Sequence, residues 1–279
     1  MKRTLEYIRK SLTSCYSHQE IEAFISIVFY HIYNYSKNDL ILNAERVLSV
    51  EEFKEIEKIV SRLLAHEPIQ YILGKAEFYG LTFDVSPEVL IPRNETEELV
   101  HLILADHQSG NIKVLDIGTG SGCIPISLKK NREEFKVFSC DISEAALTIA
   151  RHNAQLNKVQ VQFFRFDILS DSSFPHSPFD VIVSNPPYVT QKEKALMEAN
   201  VLDHEPHLAL FVPNEDPLLF YRAIIQKSKK LLVQRGSLYF EINEAYGKEV
   251  VLLLEDAGFK AVLIKDINGK NRMVKGIKA

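Results

Sequence analysis

The sequence is poor in cysteine. It has three cysteines, Cys15, Cys123 and Cys140, among 279 residues, and no two of them form a Cys-x-x-Cys pair. An odd number of cysteines at this spacing indicates neither a disulfide framework nor a zinc site. We therefore expect a protein of the reducing cytoplasm.

The chain also lacks net positive charge and long apolar runs. Its formal net charge of −4 gives no general attraction to nucleic acid, so direct binding to nucleic acid is not expected. The N-terminus mixes charged and apolar residues, and no later run approaches the length of a bilayer span. We expect neither an export signal nor a membrane anchor. The hydrophobic content of 46% is that of an ordinary globular protein.

The first part of the chain carries a helical pattern. Ser17 with Glu20, and Ser49 with Glu52, form capping-box signatures ahead of apolar residues that recur at helical spacing. These signals predict a small helical bundle from Thr4 to about Glu67. Its apolar stripes are expected to form the core of the bundle.

After the bundle, the pattern changes to alternating strands and helices. Aromatic and β-branched residues around two glycines predict a hairpin, so we place an all-α domain at 1–70, a β-hairpin linker at 71–90 and the main domain at 91–279. Such alternation is typical of an α/β fold with a doubly wound sheet. The predicted strands cover 114–117, 136–140, 161–166, 181–184, 237–242, 261–266 and 272–277. One helix is predicted to begin at 123, and three others are predicted to cover 144–156, 218–232 and 247–257.

A glycine-rich turn follows the first predicted strand of the main domain. The stretch "VLDIGTGSGCI" places Gly118, Thr119, Gly120 and Gly122 between that strand and a helix. A ligand can approach backbone that carries no side chains, and the helix N-terminus offers amide groups to an anion. The spacing is one residue short of the dinucleotide fingerprint, so a nicotinamide dinucleotide is the weaker interpretation. The turn predicts a cofactor site.

Three aspartates lie near the ends of predicted strands. Asp141 ends the second strand of the main domain, where a carboxylate can accept hydrogen bonds from both ribose hydroxyls of an adenosine. Asp116 precedes the glycines and Asp167 follows the third strand, so we expect both to border the same cleft, with Asp167 placed to accept from an adenine amino group. Strand-end aspartates also cap helices and form turns, and this alternative stays open.

The fourth strand stops at Asn185, Pro186, Pro187 and Tyr188. Two prolines remove backbone donors, and the strand end of a doubly wound sheet lies beside the ligand crevice. If the Asn185 side-chain oxygen and the Pro186 carbonyl each accept one N–H of a primary amide or exocyclic amine, they orient that nitrogen and stabilise the positive charge that develops on it. Pro187 stiffens the turn, and Tyr188 can pack against a flat substrate group. A turn-forming asparagine is the alternative.

These motifs resemble those of a known family. Together they are similar to the PrmC (HemK) family of protein-glutamine methyltransferases, and the resemblance extends over nearly the whole chain. It implies a class I methyltransferase fold with a seven-stranded, mostly parallel sheet, S-adenosyl-L-methionine as cofactor, and a helical N-terminal domain that recognises the substrate. The implied reaction is methyl transfer to the glutamine amide nitrogen of the Gly-Gly-Gln motif in class I peptide chain release factors. The segments that carry the resemblance are "PIQYILGKAEFYG", "VLIPRNETEELV", "LDIGTGSGCI", "SNPPY", "HEPHLAL" and "EINEAYG".

The resemblance also implies roles for individual residues. It implies cofactor contact at Gly118, Asp141 and Asn185, a cleft lined by Pro92, Arg93, Glu95 and Thr96, and a glutamine held by Pro186 and Tyr188. The chain departs from the family pattern at Asn94, Val212-Pro213, Asn243 and Tyr246. The resemblance and the motifs together give three sets of predicted site residues. The predicted catalytic residues are Asn185, Pro186 and Tyr188, and the predicted substrate-binding residues are Arg93, Glu95, Asn185, Pro186, Pro187 and Tyr188. The predicted cofactor-binding residues are Asp116, Gly118, Thr119, Gly120, Gly122, Asp141, Asp167 and Asn185.

Other functions remain as alternatives. An adenine-amino DNA methyltransferase would place a flipped exocyclic amine on the same two acceptors. Such an enzyme needs clustered lysine and arginine to read a duplex, whereas the N-terminal bundle mixes both charges about evenly. A guanine-amino RNA methyltransferase is a third interpretation. An idle binding module is a fourth, which the intact Asn185, Pro186 and Tyr188 argue against. We expect a monomer with a release factor as its protein partner.

His204, Glu205 and His207 form a further group of polar residues. Their spacing lacks the i, i+4 histidine pair of a helical zinc site, and Pro206 interrupts a helix. We predict a structural loop here and no metal site.

Overall fold

The structure is a computed structural model that describes residues 1–170, 172, 174–175 and 178–279. The helices are α1 (Lys2–Leu12), α2 (His18–Tyr33), α3 (Lys37–Leu42), α4 (Val50–Leu64), α5 (Ile69–Leu73), α6 (Asn94–Asp106), α7 (Cys123–Asn131), α8 (Glu144–Leu156), α9 (Ala199–Leu202), α10 (His207–Leu210), α11 (Leu219–Leu231) and α12 (Gly247–Asp256). The strands are β1 (Lys75–Phe78), β2 (Leu81–Asp84), β3 (Lys113–Ile117), β4 (Lys136–Asp141), β5 (Gln162–Arg165), β6 (Phe179–Ser184), β7 (Val189–Thr190), β8 (Phe211–Val212), β9 (Leu232–Glu241), β10 (Phe259–Lys265) and β11 (Asn271–Lys278).

The chain divides into two compact units. The first comprises Met1–Gly74 and Glu198–His204, and the second comprises Lys75–Met197 and Glu205–Ala279. The β1–β2 hairpin therefore belongs to the second unit, and helix α5 occupies the first residues of the segment that the sequence assigned to the hairpin linker. No local signal in the sequence announces that residues 198–204 group with the first unit.

The first unit is helical, as predicted. The Ser17 side chain accepts from the Glu20 backbone N–H while the Glu20 carboxylate accepts from the Ser17 N–H, and Ser49 with Glu52 forms the same capping box. Each cap stabilises its helix by about 1 kcal/mol because it satisfies backbone donors that have no partner within the helix. The apolar stripes pack together as the core of this unit, in which Leu12, Phe29, Ile56 and Leu63 are fully buried.

Seven described strands of the second unit form one sheet in the order β10-β11-β9-β6-β3-β4-β5. Strand β11 runs antiparallel to both neighbours, while the pairs from β9 to β5 are parallel. This confirms the predicted α/β fold with a mostly parallel sheet. The chain runs outward from β3 to β5 and then returns to β6 on the other side of β3. A crevice therefore forms at the carboxyl ends of β3 and β6, where ligands bind in such folds.

Helices cover both faces of this sheet. Residues of α6 and α7 pack on one face and residues of α11 and α12 on the other, and the central strands are apolar on both faces as a result. Helix α6 was not among the predicted elements, although its buried Leu99, Val100, Ile103 and Leu104 recur at helical spacing. Among the described residues, no helix is long and apolar enough to cross a membrane.

Candidate active site

A cavity of about 370 Å³ opens at the carboxyl ends of β3, β4 and β6 in the second unit. Its other walls come from the segment before α6 and from the start of α10. The predicted site residues that line it are Arg93, Gly118, Thr119, Gly120, Asp141, Asp167, Asn185, Pro186 and Pro187, whereas Glu95, Asp116, Gly122 and Tyr188 lie outside its wall.

The glycine loop forms one wall of the cavity. Gly118 and Thr119 donate their backbone N–H groups to the Cys140 carbonyl at 2.9 and 3.1 Å, which ties the loop to the end of β4. Gly118 and Gly120 have φ angles of +82° and +51°, and a Cβ at either position would meet no atom within 4 Å. These two positions present open backbone to which a ligand can come close.

Gly122 serves packing instead. A Cβ at this position would lie 2.9 Å from Ile126 Cδ1 and 3.2 Å from Ala150 Cβ. The missing side chain therefore lets α7 pack closely on α8.

Asp141 lies at the cavity wall with its carboxylate held by two backbone donors. Its Oδ2 accepts from Gly120 N and its Oδ1 accepts from Ser143 N, each at 2.9 Å. Asp141 therefore forms a turn, and its carboxylate still has capacity to accept further hydrogen bonds, because each oxygen has two lone pairs. Its contact with the ribose stays a prediction. Asp167 is similar, since its Oδ1 accepts from Leu169 N at 2.9 Å while the residue lines the cavity.

Asp116 occupies a different environment from the one expected. It lies within β3, fully buried, and its Oδ2 accepts from Ser139 Oγ of the neighbouring strand at 2.7 Å. Burial raises the pKa of Asp116 to about 7, and the hydrogen bond from Ser139 acts against this rise. Asp116 is therefore enclosed within the sheet, and it does not border the cleft as the sequence suggested.

The Asn-Pro-Pro-Tyr turn forms the wall that faces the glycine loop. Asn185 is half-buried, and its Nδ2 donates to Thr96 Oγ1 at 3.2 Å. Tyr188 lies behind the turn, where its hydroxyl donates to Glu241 Oε1 at 3.1 Å and its ring packs on the hydrophobic core. Burial raises the pKa of Tyr188, so its phenol keeps the proton that it donates. Tyr188 thus contacts the protein interior, while Asn185, Pro186 and Pro187 face the cavity.

Arg93 pairs with a buried carboxylate. Its Nη2 donates to both oxygens of Glu205 at 2.6 and 2.7 Å, and the Glu205 side chain is 1% exposed. Burial raises the pKa of Glu205, and the charge of Arg93 acts against this rise. The pair anchors the residues after Glu205, of which Pro206 and Leu208 line the cavity. The charge of Arg93 is therefore compensated within the protein, and a substrate contact by Arg93 stays a prediction.

Sequence reasoning missed Glu241, a carboxylate beside the cavity, and it missed that Glu205, which it placed in a structural loop, pairs with Arg93. Glu241 ends β9, is 1% exposed, and accepts hydrogen bonds from Thr96 and Tyr188. An acidic residue in the apolar stretch "SLYFEI" was the available signal. Glu95 lies close enough to Glu241 to raise its pKa, although Glu95 is outside the cavity wall. Within the part of the chain that the structure describes, no group of three or more His, Cys, Asp or Glu side chains is arranged to hold a metal ion.

The lining residues fit S-adenosylmethionine. The carboxylate of Asp141 can accept from ribose hydroxyls, and the open backbone at Gly118 and Gly120 leaves room for the rest of the cofactor. Ile142 and Phe166 add apolar surface suited to an adenine ring. All these groups belong to the ends of neighbouring strands, so the fold itself brings them together.

Comparisons with known proteins agree with this site. Family models match at residues 4–74, the PrmC N-terminal domain, and at residues 95–209, the Methyltransferase small domain. The release factor glutamine methyltransferase of Bacteroides thetaiotaomicron is 48% identical over 98% of this chain and 99% of that protein, and that of Flavobacterium psychrophilum is 45% identical over 95% of each. The crystal structure of a methyltransferase from Pyrococcus furiosus has the same fold, with a TM-score of 0.54 at 17% identity over 78% of this chain and 97% of that one. Its glycine loop and its Asn185-Pro186-Pro187 turn line one cavity, and this chain belongs to the family of release factor glutamine methyltransferases.

Proposed function

We propose that this protein is an S-adenosylmethionine-dependent enzyme that methylates the side-chain amide nitrogen of the glutamine in the Gly-Gly-Gln motif of class I peptide chain release factors, and so supports translation termination. The observation that carries this proposal is that the glycine loop and the Asn185-Pro186-Pro187 turn line the same cavity. Relatives that are 45% and 48% identical are named for glutamine methylation of release factors.

The residues of the turn address the main chemical difficulty of this reaction. A planar amide nitrogen is a poor nucleophile because its lone pair is delocalised into the carbonyl group. The Asn185 side-chain oxygen and the Pro186 carbonyl oxygen each accept one N–H of the glutamine amide, which orients the nitrogen and stabilises its developing positive charge. Bound S-adenosylmethionine supplies the electrophilic methyl group. No general base is required for the transfer, because the proton can leave afterwards.

The remaining predicted roles follow from position. Asp141 accepts from the ribose hydroxyls, Gly118 and Gly120 let the cofactor approach the loop, and Asp167 accepts from the adenine amino group. All four line the cavity. The carboxylates of Asp141 and Asp167 are held in place by backbone donors, so these acceptors are oriented before the cofactor binds.

We further propose that the helical unit recognises the release factor. Its α3 helix and the loop after it carry exposed apolar side chains, with Ile41 74%, Leu42 82% and Val47 89% exposed, and exposed apolar groups of this kind often mark protein contacts. The net charge of −4 favours a protein substrate over direct contact with nucleic acid. We expect the enzyme to be monomeric and cytoplasmic.

The proposal is tested by mass spectrometry of a class I release factor after incubation with the protein and S-adenosylmethionine. We expect one added methyl group on the motif glutamine, and none on a release factor in which glutamate replaces that glutamine. Asn185→Ala should slow single-turnover transfer about a hundredfold, because one preorganised acceptor is lost. Asn131→Ala, which removes an exposed asparagine that donates to the Ser127 carbonyl, is the matched control. Methylation of nucleic acid instead of the glutamine would contradict the proposal.

A further inference from the structure

A chain of hydrogen bonds connects Asn185 to the buried Glu241. Asn185 Nδ2 donates to Thr96 Oγ1 at 3.2 Å, and Thr96 Oγ1 donates to Glu241 Oε2 at 2.5 Å. The second oxygen of the carboxylate, Oε1, accepts from the Tyr188 hydroxyl at 3.1 Å. Thr96 is 3% and Glu241 1% exposed, so water does not compete with the bond between them. One carboxylate therefore holds both ends of the Asn-Pro-Pro-Tyr turn.

The sheet register explains this arrangement. Strands β6 and β9 are parallel and pair Ser184 with Phe240, so the next residues, Asn185 and Glu241, lie side by side at the carboxyl edge. Thr96 reaches them from the first turn of α6. The Glu241 backbone is fixed as well, because its carbonyl accepts from the Tyr221 hydroxyl at 3.2 Å.

The number of available protons decides which way the Asn185 amide faces. An ionised carboxylate only accepts hydrogen bonds, and a threonine hydroxyl has a single proton to donate. Thr96 gives that proton to Glu241, so its oxygen can only accept from Asn185. The NH₂ group of Asn185 must therefore face Thr96, which leaves the Oδ1 atom on the other side of the planar amide to accept.

We propose that Glu241 is a positioning residue for methyl transfer: through Thr96 it fixes the amide of Asn185 so that Oδ1 rather than Nδ2 meets the substrate amide. In the reversed orientation two NH₂ groups would face each other, so the Asn185 acceptor and its share of the charge stabilisation would be lost, and only the Pro186 carbonyl would remain. The inference rests on the proposed function for its effect on rate. The orientation of Asn185 itself does not depend on that function.

Glu241 is surrounded by groups that act on its charge. Burial and Glu95 raise the pKa of Glu241, whereas hydrogen bonds from Thr96 and Tyr188 and the charge of Arg272 act against this rise. Both carboxylate oxygens accept from hydroxyl groups, which is the pattern of an ionised carboxylate. Keeping the charge of Glu241 in a fully buried position lowers the stability of the fold, and a neutral side chain at such a position often stabilises a protein as well as a charged one does.

The decisive variant is Glu241→Gln, which preserves shape but adds a donor. A glutamine NH₂ group can donate to Thr96 Oγ1, which frees the threonine proton to bond with Asn185 Oδ1 and so removes the constraint on the amide. We expect kcat for methylation of the release factor to fall about 10- to 100-fold. The KM for release factor and the Kd for S-adenosylmethionine should stay within about twofold, because Glu241 lies outside the cavity wall and the Asn185 acceptor acts mainly on the charge that develops in the transition state.

Four further variants separate positioning from folding. Thr96→Val breaks the chain and should lower kcat as Glu241→Gln does, and the double variant should be no slower than either single variant because both act through one chain. Thr96→Ser keeps the hydroxyl and should retain kcat within about threefold. Tyr239→Phe is the matched control, because Tyr239 lies two residues before Glu241 in β9 and its hydroxyl donates to the Asp106 carboxylate at 2.7 Å, away from the cavity wall. A folded Glu241→Gln or Thr96→Val variant with the parent kcat would overturn the inference.

A second readout does not require activity. In the protein without cofactor or substrate, the side-chain NH₂ signals of Asn185 can be assigned by nuclear magnetic resonance from their loss in Asn185→Ala. We expect these signals to shift in Glu241→Gln and Thr96→Val and to stay in place in Tyr239→Phe. Signals that do not move in the first two variants would overturn the inference. If the parent protein did not methylate glutamine, the proposed function would fail, whereas this readout would still decide whether Glu241 orients Asn185.

Discussion

Replacing Asp141 with alanine should weaken the binding of S-adenosylmethionine through two effects. The carboxylate accepts backbone N–H groups from Gly120 and Ser143, each at 2.9 Å, and it lines the cavity. Asp141→Ala therefore removes the acceptor proposed for the ribose hydroxyls. It also removes the two bonds that hold the glycine loop to the start of α8.

The size of the loss follows from the strength of charge-assisted hydrogen bonds. A hydrogen bond to a charged group contributes about 1.5 to 3 kcal/mol, and less where water can replace the lost partner. Asp141 is half-buried, so water enters part of the vacated space. We expect the binding free energy to weaken by about 1 to 3 kcal/mol, which corresponds to a Kd raised about 5- to 150-fold.

Calorimetric titration of the protein with S-adenosylmethionine measures this change. Asp180→Ala is the matched control, because Asp180 accepts the Lys113 backbone N–H at 2.7 Å near the opposite, amino-terminal edge of the same sheet. It should lower stability without changing the Kd. A folded Asp141→Ala variant with the parent Kd would refute the ribose contact, and equal weakening in both variants would mean that lost stability is the cause.

Three other predictions concern packing, charge and recognition. Gly122→Ala should lower the free energy of unfolding in urea by about 2 to 4 kcal/mol, because the added Cβ meets Ile126 and the positive φ is strained. In Gly118→Ala the added Cβ meets open space, so this variant should lose only about 1 kcal/mol. Equal losses in the two variants would contradict the packing role of Gly122. Arg93→Gln leaves Glu205 buried without its cation and raises the Glu205 pKa further. The loss of unfolding free energy should be about 2 to 3 kcal/mol at pH 8 and smaller at pH 5, because the Glu205 carboxyl gains its proton at the lower pH. A loss that does not depend on pH would argue against a stabilising Arg93–Glu205 pair. Changing both Ile41 and Leu42 to aspartate should raise the KM for release factor about tenfold and leave the Kd for S-adenosylmethionine unchanged. Ile267→Asp, which alters an 89% exposed side chain of the second unit, should change neither.

The sequence by itself determined the features that depend on neighbouring residues. Capping boxes at Ser17 and Ser49 mark helix starts because the capping bonds join residues three apart, and both are present. The strands of the sheet and the glycine turn were predicted for the same reason, since hydrophobic periodicity and glycine conformations are local properties. The stop at Pro186 and Pro187 ended β6 where expected. The fold class follows from the order of these elements.

Only the tertiary structure decided which side chains meet in the active site. Asp116 and Asp141 both lie near strand ends in the sequence, yet Asp116 is buried within the sheet while Asp141 reaches the cavity wall. Thr96 and Glu241 are 145 residues apart, and Arg93 and Glu205 are 112 apart. Such pairs depend on strand register and on how α6 packs against the sheet, which no short stretch of sequence encodes. Because a side chain's neighbours across the sheet come from distant segments, the orientation of Asn185 was fixed only when the chain had folded.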